Sequence, residues 1–170
     1  CGMTNVDENG NLLDDYIVGE EGDVAERLLR FQPVVIATTI VVKRDLFKEV
    51  GGYDTNRDLH PSEDWDLCYR LSREATLGFV REPLVYYRHH GDGGHTKIER
   101  MERAMLIAFK KAFSTAPREL AMLRDEAYGN LYMVLSGSYY QAGMLGNSFR
   151  CGFKALAHRP QLIGKLLAFP

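Results

Sequence analysis

Glu-Asp-Trp-Asp-Leu at residues 63–67, preceded by Gly-Gly-Tyr-Asp at residues 51–54, is the stretch that decides the fold. It opens a predicted helix over residues 63–74, because the apolar residues there recur at helical spacing. Ser62 is a good N-cap residue, so the three acidic side chains fall in or near the first turn. The pattern therefore predicts a glycine turn followed by a helix with a strongly acidic N-terminus.

Short strands and helices are predicted on both sides of this stretch. Residues 38–43 are β-branched and apolar and predict a buried strand. Residues 44–50 predict a short helix, for which Gly51 is a suitable left-handed stop. Residues 77–80 and 84–87 predict two further strands, separated by a break that contains proline. The alternation of strands and helices places this region in the α/β class.

The two ends of the chain differ in character. Residues 1–21 look like an edge or connecting region with a turn signal at residues 7–11, and residues 22–32 contain a helical pattern. After residue 95, nearly the whole chain is helical in composition and period. We therefore predict two parts, an α/β domain at residues 1–95 and an all-helical C-terminal extension at residues 96–170.

The helical extension contains one internal regularity. Seven of its residues occupy the offsets of a tetratricopeptide helical pair, a repeat of about 34 residues. Two other positions of that pattern are filled atypically, by Ser148 and Gly152. Such repeats need about three stacked copies for stability, so a single unit is either a structural cap or part of a partner-binding array. The seven residues are Tyr132, Leu135, Ser136, Tyr139, Gly143, Ala155 and Pro160.

The order of the motifs in the first part resembles that of a known enzyme family. The turn at residues 51–54, the acidic helix start at 63–67 and the run Tyr-Arg-His-His at 87–90 are similar to the second half of a family-2 glycosyltransferase of the GT-A fold. The resemblance covers about residues 1–95 and is strongest over residues 38–90. It implies a partial GT-A fold and the inverting transfer of a sugar from a nucleotide-sugar donor to an acceptor hydroxyl.

The resemblance also implies roles for single residues. Asp64 matches the Asp of the family's Glu-Asp pair, the general base that deprotonates the acceptor. A carboxylate at a helix N-terminus suits this role, because the helix dipole favours its ionised form by about 0.3–1 kcal/mol. Without the resemblance, acids in a first turn are explained as well by the dipole alone, and Trp65 either stacks on a sugar or is buried packing. The residues implied to lie near substrate are Gly52, Tyr53, Asp54, Glu63, Trp65 and Arg88.

A divalent metal, Mn²⁺ or Mg²⁺, is the cofactor that the resemblance implies. His90 matches the histidine of the family's Tyr-Arg-x-His, which ligates the metal on the nucleotide diphosphate, and His89 is the second candidate. Imidazole is an acceptable ligand for Mn²⁺, although oxygen ligands are preferred. A metallohydrolase site that adds Asp92 and His95 is the alternative, but the glycine-rich spacing there fits no rigid ligand motif.

Charge is distributed unevenly along the chain. Residues 1–95 carry 10 Lys and Arg against 18 Asp and Glu, whereas residues 96–170 carry 11 against 5. A solvated helix face explains the basic tail, and so does a peripheral contact with an anionic membrane. The resemblance implies a nucleotide-sugar donor and a saccharide or lipid-linked acceptor as partners, and no nucleic acid.

The cysteines and the hydropathy of the chain indicate the cellular compartment in which the protein works. Cys1, Cys68 and Cys151 form no Cys-x-x-Cys pair, which argues against a zinc ribbon or a disulfide framework and suits a reducing compartment. The longest apolar stretch, residues 34–42, is too short to span a bilayer, and no N-terminal signal pattern is visible. We expect a cytoplasmic protein, with membrane association through the basic tail as the open alternative.

The first half of the glycosyltransferase domain, an α/β nucleotide-binding region, has no counterpart in these 170 residues. That half ends in an Asp-x-Asp metal motif, and Asp14-Asp15 is no substitute because no apolar strand precedes it. We therefore expect a truncated bacterial-type transferase domain that is inactive alone. The alternative function is a non-catalytic helical interaction module on a degenerate transferase remnant.

Overall fold

The described part of the chain is mixed α/β, as the sequence predicts at the level of fold class. The structure, a computed structural model, describes residues 1–17, 19–32, 37–89 and 98–164. Within them it has a small mixed sheet of three strands and seven α-helices, and 58% of these described residues are helical.

The chain forms two compact units. The first comprises residues 1–28 and 32–108, and the second comprises residues 29–31 and 109–170. The division after Ala108 falls inside a helix rather than at a loop.

The sheet of the first unit has the order β2-β1-β3. Strand β1 (Gly2–Val6) pairs antiparallel with β2 (Leu12–Tyr16) and parallel with β3 (Pro83–Arg88). The expectation that residues 1–21 form an edge or connecting region is therefore wrong for β1, which is central and buried along its length.

Polar residues in β1 are buried because they have partners on β2. Thr4 Oγ1 donates to Asp15 Oδ1 at 2.6 Å, and Asn5 Nδ2 donates to Asp14 Oδ1 at 3.2 Å. A strand with so few apolar residues gives a weak pattern in sequence, and these bonds offset the cost of burying its polar side chains.

The turn between β1 and β2 is formed by local hydrogen bonds, as its sequence predicts. Asp7 Oδ1 accepts from the backbone N–H groups of Asn9 at 2.9 Å and Asn11 at 2.8 Å, while Gly10 has a φ of +90°. The hydrogen bonds, first that from the Asn11 side chain, lower the pKa of Asp7 from its ordinary value of 3.8.

Helix α2 (Arg44–Glu49) ends in a Schellman motif, which confirms the predicted helix and its glycine stop. The Gly52 N–H donates to the carbonyl of Phe47 at 2.9 Å, and the Gly51 N–H donates to that of Lys48 at 3.0 Å. Gly51 and Gly52 have φ values of +83° and +66°, which residues with a Cβ rarely adopt.

Helix α3 (Glu63–Glu74) has the predicted bounds and buries Leu67, Cys68 and Leu71. Ser62 occupies the predicted N-cap position, although its side chain makes no capping hydrogen bond. The ψ of Ser62 is 14°, whereas a capping side chain normally needs an extended backbone to reach back to the helix.

Two predicted strands are wrong. Residues 38–43 contain the end of a 3-10 turn (Ala37–Thr39) followed by irregular chain, and Val41 is 99% exposed. Residues 77–80 contribute only one antiparallel bridge, between Leu77 and Gly22. No further pairs extend this bridge into a ladder, and residues 25–29 form helix α1 (Ala25–Leu29). Only a part of the helical pattern predicted over residues 22–32 is helix.

Arg70 forms an ion pair within α3 and also connects this helix to the end of α2. Arg70 Nε donates to Asp66 Oδ2 at 2.9 Å, one turn apart on α3, and Asp66 is only 1% exposed. The Arg70 guanidinium also donates to the backbone carbonyl of Val50, and to that of Gly52 at 2.7 Å. We call these contacts the Arg70 clamp, since they hold the glycine turn against the acidic helix.

The extension after residue 95 is helical in its described part. Helix α4 (Ile98–Thr115) contributes its last residues, from Phe109, to the second unit. It is followed by α5 (Arg118–Ala121), α6 (Arg124–Gln141) and α7 (Leu145–His158). None of the helices within the described ranges is long and apolar enough to cross a membrane.

The predicted helical pair is confirmed by α6 and α7, which pack on each other after a turn at Gly143, whose φ is +73°. Ser148 is one of the atypical positions, and the structure explains it. Ser136 Oγ donates to the carbonyl of Ser148 at 2.9 Å, and Ser148 Oγ donates to that of Ser136 at 2.9 Å. The buried pattern positions are Tyr132, Leu135, Ser136, Tyr139, Ser148, Gly152 and Ala155.

Residues 29–31 are part of the helical unit, because a network of hydrogen bonds connects Arg30 to α6. Arg30 Nη1 donates to Glu126 Oε2 at 2.6 Å, and Asn130 Nδ2 donates to the carbonyl of Arg30 at 2.7 Å. Arg159 Nη1 donates to Asn130 Oδ1 at 2.7 Å. Phe31, the next residue, has a φ of +55° and packs edge-on against Phe109, so the surroundings hold a backbone conformation that is costly for a bulky residue.

We predict that Arg70→Met lowers the free energy of unfolding by about 3 kcal/mol, because it removes the cation beside a buried carboxylate. Chemical denaturation of the 170-residue chain measures the change. The matched control is Arg73→Met on the same helix, whose guanidinium lies 3.5 Å from the Tyr69 hydroxyl. It should cost about 0.5 kcal/mol or less. Equal losses for the two variants would show that the Arg70 clamp contributes no special stability.

Candidate functional site

Asp64 lies in the first turn of α3 and is partly buried. Its Oδ1 accepts a hydrogen bond from the backbone N–H of Trp65 at 2.7 Å. Burial raises the pKa of Asp64 above its ordinary value of 3.8, and the negative charge of Glu63 adds to this effect. The Trp65 hydrogen bond opposes the shift but is outweighed by desolvation. The carboxylate is therefore more basic than a solvated aspartate.

Glu63 is held by a neighbouring histidine. Its Oε1 lies 2.8 Å from His60 Nδ1, and the carbonyl of His60 accepts from Arg100 Nε at 3.2 Å. The other oxygen, Oε2, is buried and has no hydrogen-bond partner in the part of the chain that the structure describes. A buried acceptor without a donor costs about 1–3 kcal/mol.

Trp65 packs within its own helix. Its ring stacks on that of Tyr69, with centroids 5.8 Å apart and an interplanar angle of 12°. Trp65 is half-buried while Tyr69 is buried, so one face of the indole is used in packing. Both interpretations from the sequence, sugar stacking and packing, therefore remain compatible with its position.

The glycine turn brings three predicted site residues next to α3. The carbonyl of Gly52 accepts from Arg70, and a Cβ on Gly52 would lie 3.2 Å from the Phe47 ring. Tyr53 packs edge-on against Phe47 yet is 51% exposed, and Asp54 Oδ1 accepts from the Asn56 backbone N–H at 2.9 Å. Tyr53 is thus the residue of this turn with the largest surface open to a ligand.

Arg88 is engaged elsewhere, at the β1–β2 turn. Its Nη1 donates to the carbonyls of Asp7 at 3.2 Å and Glu8 at 3.0 Å. These bonds give Arg88 a structural function in joining β3 to the turn. A contact between Arg88 and substrate remains a prediction.

His89 takes part in a short polar chain across the sheet. Its Nε2 lies 2.9 Å from Asn5 Oδ1, while the Asn5 amide donates to Asp14. Since Asn5 Oδ1 can only accept, Nε2 of His89 carries the proton and is not available as a metal ligand in this arrangement. His90, the first candidate for the metal, lies outside the described residues, as do Asp92 and His95.

The described residues do not supply a metal site. No group of three or more His, Cys, Asp or Glu side chains within them is arranged to hold a metal ion. Asp64 and Asp66, for example, are close in sequence but cannot share a metal ion, because Asp66 pairs with Arg70 on another side of the helix. Binding of Mn²⁺ or Mg²⁺ therefore rests on the sequence resemblance at His90.

An apolar cavity of about 460 Å³ lies along α3. It is lined by residues of α1, α2, α3 and the irregular chain at 40–43. Asp64 precedes one lining residue, Cys68, by four positions and so lies on the same face of the helix. The thiol of Cys68 is inert, because burial and the nearby Asp64 charge raise its pKa to about 12. The lining includes Val24, Leu28, Ile40, Leu46, Cys68 and Leu71.

Sequence reasoning missed the residues that position the site. Arg70 follows Asp66 by four residues, and this helical spacing for an ion pair was a usable signal. Its contacts with the carbonyls of Val50 and Gly52 had no local signal, because they bring residues together that lie 18 to 20 positions apart.

Comparison with known proteins gives no assignment. No family model, no curated protein and no solved structure matches this chain.

We predict that Asp64 and Asp7 titrate on opposite sides of pH 3.8. Carboxyl ¹³C NMR should show a midpoint above this value for Asp64, which is partly buried, and below it for Asp7, which accepts several hydrogen bonds. The stability contributed by Asp64 is present below its unfolded-state pKa and is lost as the pH rises through the raised folded-state value. A midpoint for Asp64 below that for Asp7 would contradict the desolvation of the site.

Proposed function

We propose that this chain is the acceptor-side and general-base part of an inverting glycosyltransferase with a partial GT-A fold, followed by a helical extension. The observation that carries the proposal is the raised pKa of Asp64 at the start of α3, beside the glycine turn held by the Arg70 clamp. The ordered motifs at residues 51–54, 63–67 and 87–90 support the same class of enzyme.

Asp64 has the properties that a general base requires. A base is most effective when its pKa approaches the working pH, and burial moves the Asp64 carboxyl in that direction. The two neighbouring acids have other partners, since Glu63 pairs with His60 and Asp66 with Arg70. Asp64 has no ion-pair partner among the contacts described for it, so its carboxylate is the one best placed to take a proton.

The proposed step is a single displacement at the anomeric carbon. Asp64 takes the proton of the acceptor hydroxyl as that oxygen forms its bond to the anomeric carbon. The bond between that carbon and the diphosphate oxygen breaks, and the nucleoside diphosphate leaves with the electron pair. Attack from the face opposite to the leaving group inverts the configuration at the sugar.

The neighbours of Asp64 would bind the acceptor in this proposal. Glu63, whose side chain is partly exposed, would accept from an acceptor hydroxyl, and Tyr53 and Trp65 would contact the sugar rings. The acceptor is a saccharide or a lipid-linked saccharide, and the donor is a nucleotide sugar. We place the reaction in the cytoplasm or at the inner face of a membrane, and we assign Mn²⁺ or Mg²⁺ as the metal through His90.

We predict that Asp64→Asn lowers sugar transfer by the intact protein by about 10²–10⁴-fold, because the amide cannot accept the proton. Turnover with the natural donor and acceptor measures the change. Asp45→Asn is the matched control, because Asp45 is an exposed acid in the first turn of α2 and lies outside the site. Turnover of the Asp64 variant within about threefold of wild type would exclude Asp64 as the base.

We also predict that nucleoside diphosphate binds this chain only with Mn²⁺ and that His90→Ala abolishes the binding. Imidazole is a suitable ligand for this ion, and the diphosphate supplies oxygen ligands. Isothermal titration calorimetry with and without the metal measures both effects, with His158→Ala on α7 as the control, because that histidine lies in the helical unit. Metal-dependent binding that survives His90→Ala would move the metal site to other residues.

A second function is favoured by the helical pair of α6 and α7. The packing of α6 on α7 fits a non-catalytic interaction module carried on a transferase remnant, as the tetratricopeptide-like spacing predicts. The two functions differ in one respect that is easily measured. An interaction module retains its full function in the Asp64→Asn variant, whereas a transferase loses it.

A further inference from the structure

Helix α7 exposes a row of large apolar side chains. Leu145, Phe149 and Phe153 are 52%, 65% and 72% exposed. They are four residues apart, so they lie along one side of a helix with 3.6 residues per turn. We call these three residues the α7 stripe.

The opposite side of α7 fixes the orientation of the stripe. Ser148, Cys151, Gly152 and Ala155 are buried against α6, so the helix cannot rotate to hide the stripe without losing this packing. Exposed aromatic rings in a continuous row are unusual on a protein surface and mark a binding site.

The charged side chains on α7 itself are basic. Arg150 and Lys154 each follow a phenylalanine of the stripe by one residue, and their cations lie over the rings of Tyr139 at 5.9 Å and Tyr132 at 4.9 Å. These contacts hold both cations beside α7. From Ala127 to Pro170 the sequence contains four Lys and Arg and no Asp or Glu.

We propose that the α7 stripe and its two cations dock the helical unit on an anionic lipid surface. The phenylalanine rings would enter the boundary between headgroups and acyl chains, and Arg150 and Lys154 would lie at the level of the anionic headgroups. A helix with one apolar side bordered by Lys and Arg has the pattern of an interfacial helix, which lies on a membrane without crossing it.

A lipid surface explains the composition better than a second copy of this chain would. A second copy of this chain would place Arg150 and Lys154 close to the same cations of its partner, if α7 packed against α7. An acidic lipid surface instead attracts every cation in this part of the chain. The proposal is independent of glycosyl transfer, because it concerns a surface of the helical unit alone.

The test is sedimentation of the 170-residue chain with lipid vesicles. Phosphatidylcholine vesicles that contain phosphatidylserine should retain the chain at low salt, and retention should fall in about 0.5 M NaCl because the charges are then screened. Pure phosphatidylcholine vesicles should retain much less. Equal retention by the two lipids would overturn the proposed role of the cations.

Variants separate the apolar from the charged contribution. Phe149→Ser with Phe153→Ser should weaken binding at least about tenfold, since two rings no longer leave water. Met122→Ser with Val41→Ser is the matched control, because these residues are 74% and 99% exposed and lie off α7. A control pair that weakens binding as much as the α7 pair would show that the stripe is not the docking site.

A second pair of variants removes two positive charges from α7 and, as the control, two from elsewhere in the chain. Arg150→Gln with Lys154→Gln should weaken binding to the anionic vesicles about thirtyfold. Lys48→Gln with Lys110→Gln removes the same charge from exposed positions outside α7 and should have a much smaller effect. Circular dichroism checks that each variant folds. Dimers in the absence of lipid that dissociate in the phenylalanine variant would assign the stripe to a second copy and overturn the proposal.

Discussion

The Arg70 clamp is the interaction on which the candidate site depends. One guanidinium meets the buried Asp66 carboxylate and two backbone carbonyls at the end of α2. Carbonyls at a helix C-terminus lack partners within the helix, and here a cation supplies one. The same contacts fix the distance between the glycine turn and the first turn of α3. Removing the cation therefore affects the stability of the unit and the geometry of the site together.

Three carboxylates at the start of α3 have three different environments, and this separates their functions. Side chains in one helical turn diverge around the axis, so adjacent acids do not share a partner. Glu63 meets His60, Asp66 meets Arg70, and Asp64 accepts from a backbone N–H. Their sequence suggests a uniform acidic helix start, whereas Asp64 is partly desolvated and has no salt bridge with the part of the chain that the structure describes. That difference is the physical basis for the proposed role of Asp64.

Local patterns predicted the local structure of this chain well. Helix α3 and the glycine stop at Gly51 depend on contacts within a few residues, which sequence spacing reports directly. The pair α6–α7 depends on contacts between helices that are adjacent in the chain and joined by a short loop. The strand predicted at residues 38–43 is wrong because apolar content cannot show whether a partner strand is present. The network of Arg30 and Glu126 joins residues 96 positions apart and left no signal in the sequence. For the site, residue types and order indicated Asp64, but the cavity along α3 and the Arg70 clamp required coordinates.

The parallel pairing of β1 with β3 has a consequence for folding kinetics. Its partners, such as Thr4 and Tyr86, are about eighty residues apart in the chain, so the sheet is completed only after a long loop closes. The helical pair α6–α7 needs only a short turn at Gly143. Proteins with more distant contacts fold more slowly, so the helical hairpin should form well before the sheet. During synthesis, β1 leaves the ribosome before β3 and must await it, with its backbone donors and acceptors satisfied by β2 on one side and by water on the other.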